Sequence, residues 1–233
     1  MSAEARSAIF ARLRGACSGA GDESIEAAYR ALGQATAVTA PAAEPCEAFL
    51  INVLRNQGTA DWAGNRSDTV KAVAQYLMAH FRSQRLVAGN DPRLAALPWR
   101  DAGLLPRFGS TEPGEPVALS YAQFGVVETG AVVTRTGKGN PAANNLLPER
   151  HIVIVDRKDL VDTMEQAWER LAAEMRESGR PRGINFIAGP SSTADIEGQL
   201  VYGAHGPRAW HVILVGEVPD GALERARATL AAG

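Results

Sequence analysis

Cysteine is nearly absent: Cys17 and Cys46 are the only two in 233 residues. They form no Cys-x-x-Cys pair, so this chain alone lacks the thiolates for an iron–sulphur cluster, and no metal or cofactor is expected in it. Two such cysteines fit reduced thiols in a cytoplasmic protein. An excess of basic charge is missing too. With 24 Lys and Arg against 26 Asp and Glu, the net charge of −2 provides no electrostatic footprint for nucleic acid. No apolar run approaches the roughly 20 residues that span a bilayer. The opening MSAEARSAIFARLRG is interrupted by Glu4, Arg6, Arg12 and Arg14, so it lacks a signal peptide's apolar core and reads as a short amphipathic helix. The four histidines show no zinc-ligand spacing.

What is present is the composition of an ordinary globular protein, 45% hydrophobic and 21% charged, long enough for one large domain with an extension. Residues 1–43 are alanine-rich and read as a helical extension, broken at Gly15 to Gly21 and ending in the linker-like TAVTAPAAEP (Thr36–Pro45). From residue 44 to 233 the pattern is that of an α/β domain. CEAFLINVLRNQG places Phe49, Leu50, Val53 and Leu54 at helical spacing and is closed by Gly58. A second helix follows Ser67 as N-cap, with Val70, Val73, Ala74, Leu77 and Phe81 on one face. RLVAG, HIVIVD, INFIAG and WHVILV read as buried strands. Between them DLVDTMEQAWERLAAEM is a helix whose core stripe is Leu160, Met164, Ala167, Trp168, Leu171 and Met175. Strands without polar alternation, separated by helices, predict a mostly parallel sheet covered by helices on both faces.

The chemistry-bearing residues concentrate in two places. GPSSTADIEGQLVYGAHGPRAWHVILV (Gly189–Val215) carries three consecutive hydroxyls, Ser191, Ser192 and Thr193, and then Asp195. Ser192 with Asp195 resembles a shortened capping box and predicts a helical turn through Ala194–Val201. The turn follows the C-terminal end of INFIA, where open α/β sheets place ligand crevices. The hydroxyls and exposed amides would suit a carboxylate or phosphate, or they merely cap the helix. Asp195 and Glu197 are two apart and do not share a helix face, which argues against a catalytic pair. His205, in GAHGPR, is a candidate general base, with Arg208 as the anion holder; the plain alternative is a histidine bonded into a tight turn. His211 reads as packed.

The second place is FGVVETGAVV (Phe124–Val133), which predicts a hairpin with Gly130 supplying positive φ. Glu128 there is either a solvated turn residue or a site carboxylate. GKGNPA (Gly137–Ala142), with Asp156 about 20 residues on, matches a dinucleotide fingerprint in letters only. NPAANNLLPER, with Pro141 and Pro148, is too short for the crossover helix, and no P-loop is present.

GPSSTADIE with GAHGPR, the ETG of AQFGVVETGAVV and the segment LLPERHIVIVDRKDLV, in that family's order over roughly Glu44 to Val215, resemble the LUD-domain family. The resemblance implies a fold like that of ribose-phosphate isomerases and CoA transferases. It implies a component of L-lactate utilization that oxidises lactate to pyruvate together with iron–sulphur partner proteins, which carry the clusters this chain lacks. In CoA transferases a glutamate in a glycine-containing turn attacks the thioester, and fold-level analogy assigns that place to Glu128. On this reading Glu128 and His205 are catalytic. Thr129, Gly130, Ser191, Ser192, Thr193, Asp195 and Arg208 bind a small carboxylate. Two other classes stay open: a self-sufficient CoA-transferase-like or sugar-phosphate-type enzyme, and a non-catalytic interaction subunit.

Overall fold

A computed structural model describes residues 2–16, 19, 21–32, 44–82, 84–196, 198–217 and 219–231. Most of the linker-like Thr36–Pro45, together with Cys17 and Glu197, lies outside the described residues. The chain divides into two compact units, residues 1–39 and 40–233. The first holds helices α1 (Ala3–Ala16) and α2 (Asp22–Leu32), neither of which buries a residue.

The second unit contains α3 (Pro45–Arg55), β1 (Thr59–Ala63), α4 (Arg66–Phe81), β2 (Val87–Ala88), α5 (Pro92–Ala95), β3 (Arg107–Phe108), β4 (Val117–Tyr121), β5 (Phe124–Val126), β6 (Ala131–Arg135), α6 (Ala142–Leu146), β7 (Arg150–Asp156), β8 (Leu160–Val161), α7 (Met164–Ser178), β9 (Ile184–Ile187), β10 (Ser192–Ile196), β11 (Gln199–Tyr202), β12 (Ala209–Val215) and α8 (Ala222–Ala231). Six strands form one sheet in the order β1-β12-β7-β4-β2-β3, and every pairing in it is parallel. The two longest apolar runs, β7 and β12, lie side by side in its interior, because a strand covered on both faces has no side to leave polar. Trp210, Val212, Leu214, Val153 and Val155 point to one face and meet α3 and α8 through Phe49, Leu50, Val53, Leu223 and Ala226. Ile152, Ile154 and Ile213 point to the other and meet Val70, Val73 and Leu77 of α4 and Leu94 of α5. The α/β class, the parallel sheet and the helices on both faces are therefore as the sequence predicts.

Several local expectations change. The N-cap of α4 is Asn65, whose side-chain oxygen accepts the Asp68 N–H at 3.0 Å, so the helix starts before Ser67. Asparagine caps as well as serine, and the cap falls to whichever residue is extended at the entry. At the end of α3 the positive φ belongs to Gln57 (61°), not to Gly58. Gly58 is needed for packing instead, since a Cβ there would lie 2.6 Å from the Trp210 ring. Trp168 is half exposed and only leans on Phe186, with ring centroids 5.1 Å apart.

The larger correction concerns β9 to β11. INFI does not join the parallel sheet. It is the edge of a second, four-stranded sheet, β8-β5-β6-β9, where it runs antiparallel to β6 and is only partly buried. Helix α7 covers that sheet, packing Ala167 and Leu171 on Phe124, Val126, Ala131 and Val133. The predicted hairpin around Glu128–Gly130 is present as the antiparallel pair β5 and β6. Ala194–Val201 is not helical either. Ser192–Ile196 and Gln199–Tyr202 form an antiparallel hairpin that turns at Gly198 (φ 70°). Thr193, Ile196, Val201 and Tyr202 favour strand, and Gly198 supplies the turn; together these outweigh the capping-box resemblance. The helical argument against pairing Asp195 with Glu197 no longer applies.

Candidate functional site

The singled-out residues gather around the last turn of α3. Asn52 and Asn56 lie four apart on one helix face, an i, i+4 pair in the sequence NVLRN that the sequence reading passed over. The Asn52 side-chain amide donates to the Val127 and Glu128 carbonyls at 2.8 and 3.1 Å, and that of Asn56 to the Thr129 carbonyl at 2.7 Å. The Glu128-Thr129-Gly130 turn is therefore bonded to α3 along its backbone. Gly130 has φ 68°, and a Cβ on it would lie 2.6 Å from the Val53 nitrogen. Gly189 approaches the same helix end, with the Asn56 carbonyl oxygen 2.3 Å from where its Cβ would be. The β10–β11 hairpin is tied in by the Tyr202 hydroxyl, which donates to the Gln57 side chain. One helix terminus thus joins the two sequence stretches.

Within this cluster the side chains have definite partners. The Glu128 carboxylate accepts the Met164 N–H at 3.0 Å, at the start of α7, where the Thr163 side chain accepts the Gln166 N–H. A carboxylate at a helix N-terminus also meets the positive end of the helix dipole. Thr129 Oγ1 accepts the Ala131 N–H at 3.2 Å and stiffens its own turn. Ser191 is bonded through three groups: its N–H donates to the Pro207 carbonyl, its carbonyl accepts from Gly203, and its hydroxyl oxygen accepts the His205 N–H at 3.3 Å. Ser192 is exposed on β10, Thr193 is partly buried beside it, and Asp195 falls on the same strand. The His205 ring is exposed to solvent. Arg208 donates its N–H to the Glu149 carbonyl, and its guanidinium pairs with the Glu149 carboxylate.

All of this sits where β12 and β7 begin, just before Ala209 and Arg150. It is the N-terminal edge of the parallel sheet. The rule that places ligands beyond the carboxyl ends of parallel strands therefore does not support a site here, because INFIA belongs to the other sheet. Glu128→Gln keeps an acceptor for the Met164 amide and loses only the charge at the helix end. It should cost roughly 0.3–1 kcal/mol, read as a small drop in the urea midpoint. A larger loss would mean that the carboxylate holds more than α7.

Between the two sheets lies a buried polar chain. His151 Nε2 is 3.0 Å from Ser120 Oγ, the Ser120 hydroxyl donates to Asn145 Oδ1 at 3.0 Å, and Asn145 donates to Thr134 Oγ1 at 3.1 Å. Burial pushes the His151 pKa down to about 3, so the ring is neutral and its Nε2 carries the proton given to Ser120. On the far side His211 is likewise pushed down to about 3, by burial first and then by His80 and Arg227. It bonds Thr59 Oγ1 at 2.8 Å and stacks on Tyr76. Burial also drives the Cys46 thiol up to about 11, which keeps it protonated and unreactive. Among the described residues no group of three or more His, Cys, Asp or Glu is placed to hold a metal ion, and no helix is long and apolar enough to cross a membrane.

Residues 116–215 match the family described as LUD domain. Over 187 residues the chain is 29% identical to lactate utilization protein C of Halalkalibacterium halodurans, covering 71% of this chain and 79% of that one. Over 180 residues it is 29% identical to lactate utilization protein C of Macrococcus caseolyticus, covering 71% and 78%. Among solved structures, a DUF162 family protein from Deinococcus radiodurans superposes with a TM-score of 0.54 at 22% identity, over 76% of this chain and all of that one. That likeness concerns the fold.

Proposed function

We propose that this chain, whose residues 116–215 match the LUD domain, serves in L-lactate utilization, in a cytoplasmic system that oxidises lactate to pyruvate. The observation that carries this reading is the similarity to proteins named lactate utilization protein C along most of the chain, both ends of the relation being largely covered. In this reading iron–sulphur partner proteins take the electrons, and this chain binds a small carboxylate or organises those partners. Glu128 and His205 remain the proposed catalytic pair at the N-terminal edge of the sheet. Two observations favour a second reading, a non-catalytic interaction subunit: Glu128 is bonded to the start of α7 and Arg208 is paired with Glu149.

Growth decides between them. In a strain lacking this chain, the wild-type sequence should restore growth on L-lactate as sole carbon source and the empty vector should not. Equal growth of the two would overturn the lactate reading. Glu128→Gln and His205→Gln should each lose that growth at wild-type protein abundance if the pair is catalytic, and should keep it if the turns only brace the fold.

A further inference from the structure

We propose that a crevice at the opposite, C-terminal edge of the parallel sheet, between the ends of β2 and β4, binds a small hydroxy-carboxylate anion. The ligand class rests on the lactate reading; the site itself rests on topology and on its lining. From β2 the chain moves outward to β3, whereas from β4 it moves the other way toward β7 and β12. Adjacent parallel strands whose connections diverge leave a crevice beyond their carboxyl ends, where ligands of open α/β sheets bind. Here that crevice has a volume of about 350 Å³, within the range of small-molecule sites.

Its lining is built and cationic. Asp91, just after β2, is gripped by Arg93, with Nε to Oδ1 at 3.0 Å and Nη2 to Oδ2 at 2.8 Å. The same guanidinium donates to the Ala122 carbonyl at 3.1 Å and lies 4.0 Å over the Tyr121 ring, whose hydroxyl donates to Asp156. This side of the crevice is rigid. Opposite it, Arg135 is held loosely, at 3.5 Å from Glu174 and 3.2 Å from Ser178 Oγ, and the exposed Arg180 has no partner among the described residues. Three guanidiniums against the single carboxylate of Asp91 line the space. The Gly137–Asn140 loop closes it, lying so near β2 that a Cβ on Gly89 would be 2.5 Å from the Gly139 carbonyl oxygen. Gly137 donates to the Asn140 carbonyl, while the N–H groups of Lys138, Gly139 and Asn140 donate to no acceptor among the described residues. The GKGN stretch thus contributes a loop of free amides without being a dinucleotide fingerprint.

Asn140 is the second, independent sign of a ligand. It is 92% buried, yet its Oδ1 has no hydrogen-bond partner among the described residues, and its amide makes a 3.5 Å contact to the Arg135 carbonyl. A buried amide oxygen without a donor is unfavourable unless something supplies one. A 2-hydroxy acid matches both halves of this lining: its carboxylate meets guanidiniums and free amides, and its hydroxyl has a proton for an acceptor such as Asn140 Oδ1.

Isothermal titration of the purified full chain with L-lactate, pyruvate and inorganic phosphate tests the site apart from growth. L-lactate should bind one per chain and more tightly than pyruvate, which has no hydroxyl to donate. Arg180→Gln, which removes a guanidinium with no partner among the described residues, should weaken lactate roughly tenfold or more without moving the melting temperature. Arg135→Gln should weaken it as well. Undiminished binding in both variants, binding of phosphate alone, or loss of lactate binding in Arg208→Ala instead would overturn the site. No lactate binding by a chain that restores growth would overturn the site and leave the lactate reading standing.

Discussion

Gly189→Ala should cost the domain about 2–5 kcal/mol, a large part of the stability of an ordinary domain. Two contributions add. At φ 107° an L-residue is strained by roughly 1–2 kcal/mol. The new Cβ would also lie 2.3 Å from the Asn56 carbonyl oxygen, an overlap on backbone that adds about 1–3 kcal/mol. Asn56 is poorly able to move aside, because its side chain holds the Thr129 carbonyl on the neighbouring turn. Gly198→Ala separates the two contributions. Gly198 also has positive φ (70°), but a Cβ there would meet nothing within 4 Å, so only the conformational share of about 1 kcal/mol should appear. Urea denaturation of both variants checks the ranking. Equal midpoints would show that α3 gives way and that Gly189 is not a contact glycine.

The second large effect is with pH. His151 and His211 each have a folded pKa near 3, against about 6.5 in an unfolded chain. Between those values the unfolded chain binds protons that the folded one refuses, so stability is full above pH 6.5 and falls as the pH drops toward 3. At pH 5 each histidine should have cost about 2 kcal/mol relative to pH 7.5, about 4 kcal/mol together. Burial pushes Asp61 in the opposite sense, upward, and moderates the fall. Measured as urea midpoints from pH 7.5 to 5, the slope should steepen from near zero to nearly two protons at pH 5, and His211→Gln should remove about half of it. A flat profile would mean that both rings are charged in the folded protein.

The two histidines also show what could be read in advance. HIVIVD and WHVILV are legible as buried parallel strands because a run with no polar alternation fits little else, and a histidine inside such a run inherits its burial. The helix of α7, the hairpin at Glu128–Gly130 and the covered faces of the sheet follow in the same way from local periodicity and turn chemistry. The ordered motifs Glu128–Gly130, Gly189–Ile196 and Gly203–Arg208 were enough to point to the LUD-domain family before any coordinates.

Position in space was another matter. INFIAG has the same texture as the parallel strands, yet its partner is β6, more than 40 residues away, and nothing in four apolar residues states which sheet they join. Ser192 and Asp195 have helix-cap spacing, but the pairing of Ser192 with Tyr202 and Thr193 with Val201 holds them extended. Asn52 and Asn56 are only polar residues on a helix until the turn they hold is brought against them. The crevice is the clearest case. Asp91, Tyr121, Arg135, Asn140 and Arg180 come from distant stretches of the chain, and only the one holding Asn140 stood out by itself, as a dinucleotide fingerprint in letters only. The sequence by itself determined the class of the domain, most of its helices and the strands at the heart of its parallel sheet, all of which depend on local patterning, and its ordered motifs gave the resemblance to the LUD domain. The tertiary structure alone decided which edge of the sheet each loop occupies and which charges meet there, because those depend on pairings between residues far apart in the chain.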